Sequence, residues 1–285
     1  MSASCCAPFL PSSAATVRTE EAAPPAAAAD TPRPRVNVLG VGIDAVDLPR
    51  AVEAIASSIA RRDGGYVCVT GVHGVMESQR DPTFRRILNE SLVTTPDGMP
   101  MVWVGRARGF TRMRRVYGPD LMLELCRRSR DAGFSHFLYG GIPGVAGQLA
   151  QRLIERFPGL RVLGTYTPPF RPLTDAEEDA LVQHITALRP DIIWVGLSTP
   201  RQERFMARLA PRVAPAVMIG VGAAFDFHTG RVRQAPRWMQ QCGLEWLFRA
   251  IQEPRRLGPR YARNNVPFIF RILLQSLGVG RYSLE

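Results

Sequence analysis

The sequence contains no lysine, so all 36 of its basic residues are arginine. That lack excludes Schiff-base chemistry, covalent pyridoxal attachment and the lysine of a phosphate-binding loop. It leaves the forked, permanently charged guanidinium, which suits phosphate and diphosphate groups. Cysteine is scarce, five residues at 5, 6, 68, 126 and 242 with no Cys-x-x-Cys pair and no Cys/His cluster. Neither a disulfide framework nor a zinc site is supported, and a reducing cytoplasm fits best. No apolar run approaches the roughly 18 residues of a membrane span, and the N-terminus lacks the charged-then-apolar pattern of a signal peptide. The expectation is a protein made and kept inside the cell.

What is present is a chain of 285 residues, 46% of them hydrophobic, enough for a sizeable core in one large or two modest domains. The net charge of +11 calls for an anionic partner: nucleic acid, an anionic membrane or phosphorylated small molecules. From Arg231 onward ten arginines face three glutamates, so most of the excess is a C-terminal feature. Charge alone suggests a nucleic-acid-binding protein as the competing class, but no RNA or DNA motif is present and aromatics do not alternate with basic residues along strands. A nicotinamide-dependent oxidoreductase lacks the Gly-x-Gly-x-x-Gly fingerprint and its downstream acidic residue.

Residues 1–34, rich in Ala, Pro, Ser and Thr, cannot support a core and are expected to form a disordered tail. A first short strand is expected across Val36 to Val41. Leu48, Val52, Ile55 and Ile59 then recur at helical spacing. Strands are expected at Tyr66–Thr70, Leu92–Thr94, Phe134–Tyr139, Arg161–Thr165, Asp191–Leu197 and Val217–Val221, with helices between them. One of these helices opens on the capping box Thr174-Asp175-Ala176-Glu177. A basic linker carries Arg106, Arg108, Arg112, Arg114 and Arg115. The alternation predicts a largely parallel, Rossmann-like α/β sheet with helices on both faces over residues 35–230. After Arg231 only helical patterns follow, at Pro236–Met239, Leu244–Arg249 and Val266–Leu277. Residues 231–285 are either an ordinary helical cap or a basic, amphipathic element suited to anionic lipid, and the two are compatible.

Four segments end strands with polar groups: Thr70 to His73, Thr95 to Asp97, Ser198 to Glu203, and Phe225-Asp226. In a parallel sheet those ends share one edge, where a cleft forms. Each has a plainer alternative. Asp97, in Thr95-Pro96-Asp97-Gly98, caps a helix as readily as it serves as an acid. His73 on its own reads as a structural histidine, Asp226 as a cap, and Glu203 as an ion-pair partner of Arg201, Arg204 or Arg208. Gly140-Gly141-Ile142-Pro143-Gly144, between a strand and a helix start, suits either a phosphate or a tight turn.

Taken in order, Thr70-Gly71-Val72-His73, Thr95-Pro96-Asp97-Gly98, Arg115-Val116-Tyr117-Gly118-Pro119-Asp120-Leu121, Gly140 to Gly144, Val195 to Glu203, Gly222-Ala223-Ala224-Phe225-Asp226 and Gly243-Leu244-Glu245-Trp246 resemble the WecG/TagA/CpsF glycosyltransferases, glycosyltransferase family 26. The resemblance runs from about residue 36 to 263. It implies transfer of a sugar, N-acetylmannosamine or a hexose, from a UDP-sugar to a polyprenyl-diphosphate-linked saccharide in cell-surface or exopolysaccharide biosynthesis. Inversion, no metal and no cofactor beyond the donor are implied with it. The Asp-x-Asp motif of metal-dependent glycosyltransferases has no match, since Asp44-Ala45-Val46-Asp47 is one residue too long. By resemblance Asp97 is the general base, Thr70 and Arg115 share the catalytic site, and Arg115 faces the diphosphate. His73, Gly140, Gly141, Pro143, Gly144, Gln202, Glu203, Gly222, Phe225 and Asp226 fall on substrate- or nucleotide-binding positions. Residues 231–285 resemble a membrane-associating appendage, placing the protein on the inner face of the cytoplasmic membrane, with no nucleic-acid partner. A homo-oligomer is compatible with the sequence. The chain differs from the family at Thr70-Gly71-Val72-His73, where Thr-x-Asn is frequent, and at Ser198-Thr199, where a glycine usually precedes the proline.

Overall fold

A computed structural model describes residues 33–284. Nearly all of the tail expected over residues 1–34, with Cys5 and Cys6, lies outside the described residues. The described chain begins with a hairpin in place of the single strand expected across Val36 to Val41. β1 (Arg35–Val38) and β2 (Val41–Asp44) pair antiparallel, apart from the main sheet. The run has strand composition throughout, but Leu39 and Gly40 both take positive φ (53° and 83°), the geometry of a two-residue hairpin turn.

Strand and helix then alternate. α1 (Leu48–Arg61) starts where the Asp47 side chain accepts from Arg50 N and leads to β3 (Gly65–Thr70). α2 (Val72–Ser78) and α3 (Pro82–Asn89) precede β4 (Val93–Pro96). α4 (Met99–Ala107) follows the Asp97 turn, and α5 (Gly118–Ala132) leads to β5 (Ser135–Gly140). α6 (Val145–Arg156), β6 (Arg161–Tyr166) and α7 (Asp175–Leu188) come next, α7 opening on the full Thr174/Glu177 capping box. β7 (Ile192–Gly196), α8 (Arg201–Val213) and β8 (Val217–Gly220) complete the core. The expected basic linker begins inside α4: Arg106 is helical and its Nε donates to Met113 O at 3.2 Å, while Arg108 donates to Asn37 O.

The six strands run parallel in the order β4-β3-β8-β7-β5-β6. Side chains alternate across them, as the pleat requires. Cys68, Phe137, Tyr139, Ile193, Val195 and Met218 pack with Phe84, Leu88, Leu181, Phe205, Met206 and Leu209 of α3, α7 and α8. Val67, Leu138, Trp194, Val217 and Ile219 pack against Ile55, Leu121, Leu125 and Leu149 of α1, α5 and α6 on the other face. With helices on both faces, the strand C-termini remain the open edge.

Beyond β8 the chain is helical: α9 (Ala224–His228), α10 (Arg237–Gln241), α11 (Glu245–Gln252) and α12 (Pro254–Ser276). The helix expected at Val266 to Leu277 begins twelve residues earlier and runs through Pro259 and Pro267. Each proline removes an intrahelical hydrogen bond and reads as a break in sequence. Tertiary packing offsets that loss: Leu257, Asn264 and Phe268 are buried on one side of α12, and Phe268 joins the core. The end of the chain also grips the hairpin, with Gln275 Oε1 accepting from Leu39 N (3.2 Å) and Tyr282 O accepting from Asn37 Nδ2 (2.6 Å).

Candidate active site

At the C-terminal edge of β3 and β4 lies a cavity of about 420 Å³. Its walls come from the β3 exit (Thr70 to Gly74), the Asp97 turn and the start of α4, Arg115, Thr199 and Glu203, and the C-terminal segment from Gln240 to Ile269. Two contacts join the exits of β3 and β4. Asp97 N donates to Thr70 O at 2.9 Å, and the Asp97 carbonyl passes so close to Gly71 that a Cβ there would sit 2.7 Å from it. Gly71 is therefore required by space. Gly98, at φ +92°, turns the chain into α4 and caps it with no side-chain bond. The Asp97 carboxylate is thereby released from capping.

That carboxylate meets Arg115, whose Nε and Nη2 lie 3.4 and 3.2 Å from Oδ1. Arg115 Nη2 also reaches Glu245 Oε2 at 2.6 Å, Tyr117 OH donates to Glu245 Oε1 at 3.1 Å, and the guanidinium lies 4.0 Å above the Tyr117 ring. Burial pushes the Asp97 carboxyl above its ordinary range, Arg115 pulls it back, and Glu245 adds to the rise. Burial opposes the charge of Arg115, but Asp97 and Glu245 outweigh it and hold the guanidinium firmly protonated. A carboxylate with a raised pKa and one unengaged oxygen in a cavity has the properties of a general base.

Glu203 is buried, and its Oε1 accepts from Thr199 Oγ1 (2.8 Å) and Gln202 Nε2 (3.0 Å). Its Oε2 has no hydrogen-bond partner among the described residues, and neither has the buried Thr70 Oγ1. Burial raises the Glu203 carboxyl above its usual range. The ion pairs considered for it are not formed: Arg204 goes to Asp81, and Arg208 to Glu178. Gln202 also accepts from Gly222 N at 3.1 Å, so it braces the β8 exit against Glu203.

His73 bridges elements. Its Nε2 donates to Thr199 O (3.3 Å), so Nδ1 is the acceptor for Asn264 Nδ2 of α12 (3.1 Å). Burial, helped by Arg260, lowers its pKa to about 4, and the ring is neutral at pH 7. Asn264 also donates to Arg260 O and accepts from Arg80 Nη2. The imidazole thus docks α12 beside the cavity.

Two further cations line the cavity, Arg249 of α11 and Arg260 of α12. Neither guanidinium makes a hydrogen bond or ion pair among the described residues, and the Nε of each is buried and unpartnered. Buried polar groups are normally satisfied, and two orphaned guanidinium nitrogens in one wall suit an anion with several acceptor oxygens. Trp103, Trp246, Tyr261 and Phe268 supply the apolar surface, with Trp246 and Tyr261 edge to face at 5.8 Å.

Other expected site residues lie elsewhere. Gly140 ends β5 and Gly141, Pro143 and Gly144 follow it, all outside the cavity lining. Phe225 is buried with its ring packed against Gly196, where an added Cβ would come within 2.5 Å of it. Asp226 is 3.7 Å from Arg231 and, like Gly222, does not line the cavity. Asp44 accepts from Thr94 N at 2.7 Å and Asp47 caps α1. Among the described residues no three His, Cys, Asp or Glu side chains are grouped to hold a metal ion.

The glycosyl transferase WecG/TagA/CpsF family matches residues 36–282 of this sequence. The chain belongs to that family. It is a glycosyltransferase. It is 28% identical over 193 residues to the N-acetylglucosaminyldiphosphoundecaprenol N-acetyl-beta-D-mannosaminyltransferase of Bacillus spizizenii, a stretch covering 68% of this chain and 73% of that protein. The family match extends through α12, which fits the way the cavity is closed by Glu245, Arg249 and Arg260. Glu245 falls within a sequence motif that gives it no role, and no motif marks Arg249, Arg260 or Asn264. For the two arginines the excess of arginine after residue 231 is the only signal, and Asn264 has none.

Proposed function

We propose that this glycosyltransferase moves a sugar, N-acetylmannosamine or a hexose, from a UDP-sugar to a saccharide carried on a polyprenyl diphosphate, by one inverting displacement. The acceptor class follows from the Bacillus relative, whose name specifies a diphosphoundecaprenol-linked acceptor. One observation carries the chemistry: an unengaged carboxylate oxygen shares a cavity with two half-buried arginines whose Nε atoms are buried without a hydrogen-bond partner. The acceptor oxygen attacks the anomeric carbon, its proton passes to Asp97 Oδ2, and the bond to the diphosphate breaks with its electron pair leaving on UDP. Arg249 and Arg260 neutralise the departing diphosphate, a charge role that a divalent ion fills in other transferases. Arg115, saturated by two carboxylates, orients the base. The hydroxyl of Thr70 and the carboxyl of Glu203 present polar atoms to the bound sugar.

No described helix is long and apolar enough to cross a membrane. A lipid-linked acceptor is then met at the bilayer surface, and the exposed apolar and basic face of the C-terminal helices suits the cytoplasmic leaflet.

The test is transfer of labelled sugar from UDP-sugars to polyprenyl-diphosphate-linked GlcNAc, run in EDTA. Wild-type protein turns over with the chelator present. Asp97→Asn loses at least about 10²-fold in kcat, the size of a general-base contribution, and still binds UDP in calorimetry. Near-normal turnover by Asp97→Asn removes Asp97 from the role, and abolition of wild-type activity by EDTA removes the metal-free mechanism.

A further inference from the structure

An arginine and a carboxylate left to themselves form a fork, with two parallel bonds to two oxygens. Arg115 and Asp97 do not. Both guanidinium nitrogens facing Asp97 go to the same oxygen, Oδ1, at 3.4 and 3.2 Å, while the shortest bond from Arg115, 2.6 Å, goes to Glu245 Oε2. No described protein group hydrogen-bonds Asp97 Oδ2. Glu245 is itself fixed, because its other oxygen accepts from Tyr117 OH at 3.1 Å. It arrives from α11, whereas Asp97 stands at the β4 exit and Arg115 just before α5.

We propose that Glu245 is a positioning residue for the transfer: by holding Nη2 of Arg115 it prevents a two-oxygen fork on Asp97 and keeps Oδ2 as the atom that takes the acceptor's proton. This rests on the reading of Asp97 as the base. With both oxygens tied, the carboxylate would have to give up a charge-assisted bond before accepting a proton.

The charges around Asp97 act in the same direction. Arg115 and Arg249 lower its pKa, Glu245 raises it along with burial, Tyr117 stays a neutral phenol because burial and Glu245 raise its own pKa, and His73 across the cavity is neutral. The side chains of α4 that line the cavity, Met99, Pro100 and Trp103, carry no charge. Replacing Glu245 by a neutral isostere removes the one anion that raises the Asp97 carboxyl, Glu203 across the cavity having no such effect, and releases Arg115 to Asp97, so the carboxyl becomes more acidic and a weaker base.

The experiment is the pH profile of kcat/KM and kcat for Glu245→Gln beside wild type. The expected result is an acid limb displaced downward by about one pH unit, the usual size for a change in one close charge, with plateau kcat lowered about tenfold and donor KM within twofold. An unmoved acid limb, or a rise in KM with kcat intact, overturns the proposal, the second outcome making Glu245 a substrate-binding group. Tyr117→Phe, which removes only the hydroxyl bond to Glu245, gives a smaller displacement of the same sign and serves if Glu245→Gln does not fold. No displacement in Tyr117→Phe then overturns the proposal. The Asp97→Asn control separates the two levels. Full activity in that variant defeats the base itself, whereas loss of activity with an unmoved Glu245→Gln profile defeats this inference alone.

Discussion

Two imidazoles are held uncharged by their surroundings. Burial brings both His73 and His136 to about 4 from an ordinary 6.5. In the core His136 accepts from Trp194 Nε1 at 2.9 Å, which leaves its proton on the unpartnered Nε2. For a histidine whose folded pKa is depressed, the unfolded chain binds the extra proton first. Its contribution to stability is therefore whole above about 6.5 and is lost as pH falls from there toward 4. Each ring contributes on the order of 3 kcal/mol at the extremes of that window. Urea midpoints should decline steadily from pH 7 to pH 5, and NMR of the imidazoles should show neither His73 nor His136 titrating above pH 5. Titration of either ring near 6.5 contradicts this account.

At the scale of elements, the sheet was legible because strand and helix differ in period, and Tyr66–Thr70 or Asp191–Leu197 admit only one reading. The hairpin was not, since Val36 to Val41 has the same composition whether it is one strand or two; backbone conformation at Leu39 decides it. Pro259 and Pro267 hid the first half of α12 for a related reason: packing against the core outweighs a local penalty. The cavity was half legible. Thr70, His73, Asp97 and Glu203 end strands and meet as a parallel sheet requires, but Arg249, Arg260 and Asn264 reach it through docking of helices that no local pattern specifies. Gly140 to Gly144 carry the look of a binding loop, but a Cβ on Gly140 would come within 2.5 Å of Gly196 O, and Gly141 and Gly144 hold positive φ (72° and 86°), so the turn itself accounts for these glycines. Gly71 shows how tightly the β3 and β4 exits are coupled. Its φ of −117° suits any residue, yet a Cβ there meets the Asp97 carbonyl at 2.7 Å. Gly71→Ala should displace the Asp97 turn and lower kcat by about tenfold to a hundredfold, the effect of misplacing a catalytic group by about 1 Å, with a stability loss of roughly 1–3 kcal/mol from overpacking. Crystallography of the variant together with single-turnover kinetics would check it. A normal rate would show that the turn accommodates the methyl.

At the scale of the whole molecule, the charge and the leftover apolar surface coincide. Val266, Phe270 and Leu273 of α12 and Leu277 at its C-cap recur at intervals of 4, 3 and 4, and the last three are 63, 56 and 75% exposed. Arg255, Arg256 and Arg263 on the same segment are exposed as well. The opposite side of α12 is committed to the core through Leu257, Asn264 and Phe268, so the stripe is not needed to hold the fold. Deleting residues 231–285 would be an uninformative test of membrane association, because it also removes Glu245, Arg249 and Arg260 from the cavity. Replacing Phe270, Leu273 and Leu277 together with serine leaves the cavity lining in place. Burying part of each side chain in the interface stabilises binding by about 1 kcal/mol or more, so the triple variant should lose on the order of a hundredfold in partitioning to vesicles containing anionic lipid. Its urea midpoint should stay within about 0.5 kcal/mol of wild type, as surface changes usually do. Raising the salt should weaken wild-type binding through the arginine contribution. If wild type and triple variant cosediment equally with those vesicles, the stripe is not the membrane face, and the lipid-linked acceptor proposed above approaches the cavity from another side.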